Sequence, residues 1–118
     1  MTESQAQIAM IKWFRLQHPK LSPLLFHVPN GGHRSKTTAR LLKAEGVVAG
    51  VSDLILLLPN QDHHALLIEV KTKTGRQTPI QKMWGSLASS KGYRYEVVRG
   101  VQEFIDLITE YVNPERRS

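Results

Sequence analysis

Asp53, Glu69 and Lys71 are the residues whose types and spacing could do chemistry together. Asp53 opens the apolar run DLILLL at 53–58, and Glu69 and Lys71 stand at the end of a second run, ALLIEVK at 65–71. Residues two apart on a strand face the same side, so Glu69 and Lys71 share a face. The linking PNQDHH makes an antiparallel hairpin the simplest pairing, which sets the start of the first strand beside the end of the second. Two carboxylates and an ammonium then converge at one edge of an apolar sheet. Such a group is costly to bury, because neighbouring carboxylates repel and each wants its charge solvated. A divalent cation resolves the conflict. Hard oxygen ligands suit Mg2+ or Mn2+, which keep several waters and take further ligands from a phosphate. The chemistry expected is phosphodiester hydrolysis, with Lys71 orienting the attacking water or neutralising developing charge. A surface ion-pair cluster is the plain alternative, and strongly apolar strands ending in aligned acids and a base weigh against it.

The rest of the charge pattern agrees with an anionic substrate. The 118-residue chain carries a net charge of +6, and a pI near 9.9 points to nucleic acid as a partner, although charge alone does not choose between DNA, RNA and an acidic protein. Arg34, Lys36 and Arg40 straddle the start of a helix, where free N–H groups already favour anions. Lys73, Arg76 and Lys82 follow the acidic strand. Both groups read as phosphate contacts flanking a cleft, with a solvated surface as the alternative for any one of them. Asp62, His63 and His64 do not read as a zinc cluster, since adjacent histidines on extended backbone point opposite ways. His33, beside a Gly-Gly turn, could touch phosphate, and His27 has no assigned role. Trp13 and Trp84 read as core or interface residues, not base-stacking platforms.

Those residues need a frame. The length suits one layered core, expected over residues 1–113 with 114–118 as a frayed tail. There is no cysteine, no apolar run of membrane length and no basic-then-apolar opening, so the expectation is a cytoplasmic protein without disulfides or a membrane span. A first helix runs from a capping box, Thr2 with Gln5 or Ser4 with Gln7, to Leu16, and is apolar enough to be covered on more than one side. LLFHV at 24–28 is a short strand ended by Pro29 and Asn30-Gly31-Gly32. A second helix spans about 35–45, capped by Ser35 or Thr37 and stopped by Gly46. After the hairpin, whose strands are both apolar enough to be covered on two faces, Thr78-Pro79-Ile80-Gln81 starts a helix that stops near Gly92. YRYEVV at 93–98 is a fourth strand and VQEFIDLITEYV at 101–112 a closing helix. The order α-β-α-β-β-α-β-α, with one crossover, predicts an α/β fold built on a mixed four-stranded sheet covered by helices.

The words PNGGHRSKTTARLLKAEGVVAGVSDLILLL and IEVKTKTGRQTPIQKMW resemble the VRR-NUC branch of the PD-(D/E)XK nucleases, over about residues 3–102. The resemblance implies a restriction-endonuclease-like fold and a Mg2+- or Mn2+-dependent endonuclease acting on DNA. It makes Asp53 and Glu69 metal ligands, with the backbone carbonyl of Val70, and Lys71 a catalytic lysine. It also implies Glu3 as a further acidic active-site residue and Gln81 as the glutamine that follows the acidic strand. Glu3 shares a helical stripe with Gln7, Met10 and Phe14 and can face the sheet, while Gln81 is also accounted for by its capping box. Where the family usually has proline before the metal-binding aspartate, this chain has Ser52, which implies a looser start to the strand. Members made of this domain alone resemble phage or bacterial resolvases of four-way junctions that act as homodimers. The rival expectations are a flap or nonspecific nuclease, and a DNA-binding module with a relic site.

Overall fold

The computed structural model describes residues 1–29 and 34–113. The expectations for Asn30, Gly31, Gly32, His33 and residues 114–118 therefore lie outside the described residues. Helix α1 (Glu3–Gln17) begins at Thr2, whose hydroxyl accepts the Gln5 N–H while the Gln5 side chain accepts the Thr2 N–H. That reciprocal pair satisfies two donors the first turn would otherwise leave open, and it selects the first of the two expected boxes. A short 3-10 turn at Ser22–Leu24, which the sequence reading did not foresee, leads into β1 (Leu25–His27). Helix α2 (Lys36–Ala44) is capped by Ser35 and buries none of its residues. Strands β2 (Leu54–Leu56) and β3 (Leu66–Val70) form the expected hairpin. Helix α3 (Pro79–Ser90) is started by the Thr78–Gln81 capping box, and crosses to β4 (Arg94–Val98), which pairs parallel with β3. Helix α4 (Val101–Val112) closes the fold.

The sheet has the order β1-β2-β3-β4, antiparallel except for its last pair. This is the mixed four-stranded sheet that the alternation of elements demands. Its two faces differ. Leu54, Leu56, Leu66, Ile68, Val70 and Val98 point into a core closed by Met10 and Phe14 of α1 and by Phe104, Ile108 and Tyr111 of α4. Trp13 packs edge-on against Phe104, with ring centroids 6.1 Å apart. The other face, carrying Ile55, Leu67, Glu69 and Tyr95, is covered only in part by α3. There Gly85 lets the helix approach so closely that a Cβ would stand 2.6 Å from the Tyr95 ring.

The expectation that the hairpin strands are covered on both faces holds for β3, which is buried along its whole length, and less fully for β2, whose Ile55 is half-buried. Apolar side chains beside the strands and on the outside of α1 stay in solvent. Leu57 at the end of the hairpin strand is exposed, as are Ile80, Met83 and Leu87 on α3, and Ile8 and Leu16 on α1. The second face of the sheet is closed over β3 and more open over its neighbours, and α1 is covered along one stripe and one flank.

Gly50 shows how the start of α3 is brought against the approach to β2. Its φ is +89°, and an added Cβ would lie 2.5 Å from Ile80 Cγ2 and 2.9 Å from the Ile80 carbonyl oxygen. Gly46 also has positive φ, +108°, but open space around it. Gly46→Ala is expected to cost only the left-handed backbone strain, about 1–2 kcal/mol. Gly50→Ala must add displacement of α3 to the same strain, so its thermal midpoint should fall clearly further. Equal midpoints for the two variants would show that the Gly50–Ile80 contact does not constrain the fold.

Candidate active site

The β2–β3 register pairs Leu54 with Ile68, so one further step sets Asp53 opposite Glu69. Asp53 is held at three points. Its Oδ2 accepts the Val70 N–H at 2.8 Å. Its carbonyl accepts the Val28 N–H at 2.9 Å and lies 2.8 Å from His27 Nδ1, which must donate to it. The preceding Ser52 is fully buried and donates its hydroxyl to the Leu54 carbonyl at 3.1 Å. The looser start expected from a serine in place of proline is therefore not found, because the hydroxyl supplies a tether that proline lacks.

Glu69 is the unusual member. It is 0% exposed at the end of the central strand, and among the described residues neither carboxylate oxygen meets a hydrogen-bond donor, its near neighbours being the Asp53 carboxyl and Lys71. Lys71 Nζ lies 3.9 Å from Glu69 Oε2, at the limit of an ion pair. Burial, and then the nearby Asp53 carboxyl, push the Glu69 carboxyl up to about 8, against the opposing pull of Lys71. The same charge reaches β4: burial and then Glu69 push the Tyr95 phenol up to about 12, although its oxygen accepts the Gln77 amide N–H at 2.9 Å.

Two openings flank this group. A cleft of about 440 Å³ is lined by Asp53, His27, Gly50, Thr78 and Gln81. Gln81 therefore serves both readings at once: its side-chain oxygen accepts the Thr78 N–H at 2.9 Å, and its side chain borders the cleft. A second hollow, of about 360 Å³, is lined by Glu3, Lys71, Thr72, Lys73 and Arg99. Glu3 thus meets Lys71 across this hollow and does not line the cleft of Asp53. Arg34, Lys36 and Arg40 are exposed at and on α2, and Lys73 and Arg76 are exposed on the segment after β3.

The structure brings together Asp53, Glu69 and Lys71 as the hairpin reading expects, while the groups that hold them were not foreseen. His27 and Arg99 act on main-chain carbonyls, and no side-chain motif marks such a target. In the hairpin loop the Asn60 side chain accepts the N–H groups of Asp62 and His63, while His64 packs edge-on against Tyr93. Those residues shape the turn.

Among the described residues no three acids, histidines or cysteines gather as a ready-made metal cage. The pair Asp53 and Glu69 still fits a hard divalent cation, because two buried carboxylate oxygens lack partners and such ions accept water and phosphate for the remaining positions. The raised Glu69 value has a consequence for the metal-free protein. Between pH 4.5, the value of an unperturbed glutamate, and about 8 the folded chain holds a proton that the unfolded chain has released. Stability must therefore fall as pH rises through that window, by up to a few kcal/mol. Thermal melts in a chelating buffer should show this slope in the wild type and a flatter one in Glu69→Gln, with the variant the more stable of the two at the alkaline end. Parallel profiles would place the Glu69 carboxyl in water.

Comparison with known proteins agrees with this geometry. A family model described as the VRR-NUC domain matches residues 1–102. Among solved structures the chain is similar to one described as a VRR_NUC domain protein, with 29% identity and a TM-score of 0.85, covering 96% of this chain and 89% of that one. No curated protein matches. A family model over residues 1–102 and a structural match over nearly the whole chain agree: the chain belongs to the VRR-NUC family of PD-(D/E)XK nucleases.

Proposed function

We propose that this nuclease is a metal-dependent, structure-selective DNA endonuclease that resolves four-way junctions as a homodimer. The observation that carries the hydrolytic reading is the Glu69 carboxylate, fully buried without a hydrogen-bond partner, opposite Asp53 and 3.9 Å from the Lys71 ammonium. A buried acid in that state suits a ligand that displaces its proton. Asp53, Glu69 and the Val70 carbonyl are the groups that would hold Mg2+ or Mn2+. When bound, the cation supplies Lewis-acid polarisation of the scissile phosphate and acidifies a water.

The chain's own residues do the rest. Lys71 orients the attacking water or neutralises charge developing on the phosphate oxygens. Attack forms a bond from the water oxygen to phosphorus, the bond to the 3′ oxygen breaks, and a proton passes to that oxygen, leaving a 5′-phosphate and a 3′-hydroxyl. Gln81 offers its amide nitrogen to the cleft, since its oxygen is used by the helix cap. Glu3 acts from the opposite hollow. Arg34, Lys36, Arg40, Lys73 and Arg76 contact phosphates on either side, where exposed cations favour any duplex and set register, not sequence.

The dimer follows from the half-covered sheet face. Trp84 lines an apolar hollow with Ile55, Leu57, Leu67, Leu87 and Tyr93, next to exposed Ile80 and Met83. The exposed apolar residues of α1 are fewer, and Trp13 is engaged with Phe104, so the contact surface we propose is the α3 face with Trp84 as anchor. A two-fold contact there is self-complementary and hides the apolar surface of both copies. It also matches a junction that presents two equivalent strands.

Glu69→Gln, Asp53→Asn and Lys71→Ala should each abolish cleavage while leaving DNA binding nearly intact. The loss should be ~2.7–4 kcal/mol of transition-state stabilisation or more. Full activity in any of them would remove the proposed chemistry. The wild type should sediment as a dimer and nick a four-way junction at symmetric positions on opposing strands. A monomer that cuts flaps and linear duplex as readily would instead be a flap or nonspecific nuclease, and binding without metal-dependent nicking would mark a relic site.

A further inference from the structure

Arg99 follows the last residue of β4, and its side chain crosses to the segment that leaves β3. One terminal nitrogen, Nη1, donates to the carbonyl oxygens of Thr72 at 2.8 Å, Lys73 at 3.3 Å and Gly75 at 2.6 Å. The segment is turned toward it by Thr72, whose hydroxyl accepts the Gly75 N–H at 3.0 Å. Carbonyl dipoles that converge on one point repel one another unless a cation sits among them, and bonds from an ionised donor are about twice as strong as neutral ones.

Arg99 is itself anchored. Its N–H donates to Glu103 Oε1 at 2.9 Å, and the carbonyl of neighbouring Val98 accepts the Lys71 N–H at 3.0 Å. The guanidinium thus ties the 72–75 turn to the junction of β4 and α4. Lys71 stands immediately before that turn, Lys73 lies within it, and Glu3 Oε2 would be 3.6 Å from a Cβ at Gly75. Glu3, Lys71, Lys73 and Arg99 also share one hollow.

We infer that Arg99 is a positioning residue for the nuclease, fixing through the 72–75 turn where Lys71 and Glu3 stand relative to the scissile phosphate. The inference rests on the hydrolytic reading of Asp53, Glu69 and Lys71. A purely structural role does not account for the bonds, because the turn lies outside the core and Lys73 is exposed. Water can satisfy the same three carbonyls if the guanidinium is removed. The fold then survives, and what is lost is the fixed place of the turn.

The test compares wild type, Arg99→Met and Arg99→Lys on a four-way DNA junction with Mn2+, at saturating DNA and well below the thermal midpoints. Limited digestion with trypsin follows cuts after Lys73 and Arg76. Arg99→Met should lose about 10²-fold in kcat, the size of effect that small misplacement of reacting groups produces. Its thermal midpoint should change little, and trypsin should cut the turn faster than in the wild type. Arg99→Lys should recover most of the rate, because all three bonds come from one nitrogen and an ammonium has three donors. If Arg99→Met folds poorly, Arg99→Gln, which keeps a shorter neutral donor, replaces it with the same outcomes expected. Unchanged kcat, a loss confined to KM, or a loss that Arg99→Lys does not recover would overturn the inference while wild type still cuts. A wild type that never cuts would defeat the hydrolytic reading instead.

Discussion

A carboxyl group buried beside Asp53 at the end of the central strand is the constraint around which the rest of this structure is arranged. Glu69 lies on β3, flanked on both sides by paired strands and fully removed from water, and Lys71 is the cation near enough to offset its charge among the described residues. Isolated charges are not tolerated in such places, so the group is held protonated or held for a ligand. The register decides which face it takes: the core face of β3 is occupied by Leu66, Ile68 and Val70, which sends Glu69 to the opposite face, also closed over this strand.

The neighbouring elements restrict everything except that acid. Asp53 is fixed through its carboxylate by Val70 and through its carbonyl by Val28 and His27, while Ser52 ties the start of β2 from inside. Gly50 lets the capped start of α3 close against the same region, which brings Gln81 to the cleft. Arg99 does for the far side what His27 does for the near side, since each donates to main-chain carbonyls beside a central residue. Rigid backbone around a buried acid is the form expected of a preorganised hydrolytic site, in which reorganisation is completed before substrate arrives. By contrast α2, rich in cations, buries none of its residues in the core.

Much of this was legible in the residues because local rules and the global fold agree. Capping boxes at Thr2 and Thr78, the short apolar runs of β2 and β3 bounded by PNQDHH and the apolar stripe of α4 each determine an element without help from its neighbours. The hairpin then brings Asp53 to Glu69 by register alone. The degree of coverage was not legible. An apolar strand reads the same whether its second face meets a helix, a second copy or water, so Leu57, Ile80, Met83 and Leu87 gave no sign of their exposure. The same limit applies to α1, whose Trp13 turned out to pack on Phe104. His27, Ser52 and Arg99 were hidden for another reason: their targets are backbone atoms, which carry no identity in a sequence. Glu3 was placed by resemblance, and the structure sets it across the hollow of Lys71, not in the cleft of Asp53.

In the reading proposed above, Glu69 is kept dry beside Asp53 in order to receive a divalent cation. A cation can bind there only if the raised carboxyl gives up its proton, so binding and proton release must be coupled. Calorimetric titration of Mn2+ into the protein near neutral pH, repeated in buffers of different ionisation enthalpy, measures both together. The account predicts saturable binding accompanied by net proton release, with the release abolished and affinity sharply reduced in Glu69→Gln. Saturable binding without proton release, or binding that Glu69→Gln leaves unchanged, would contradict it.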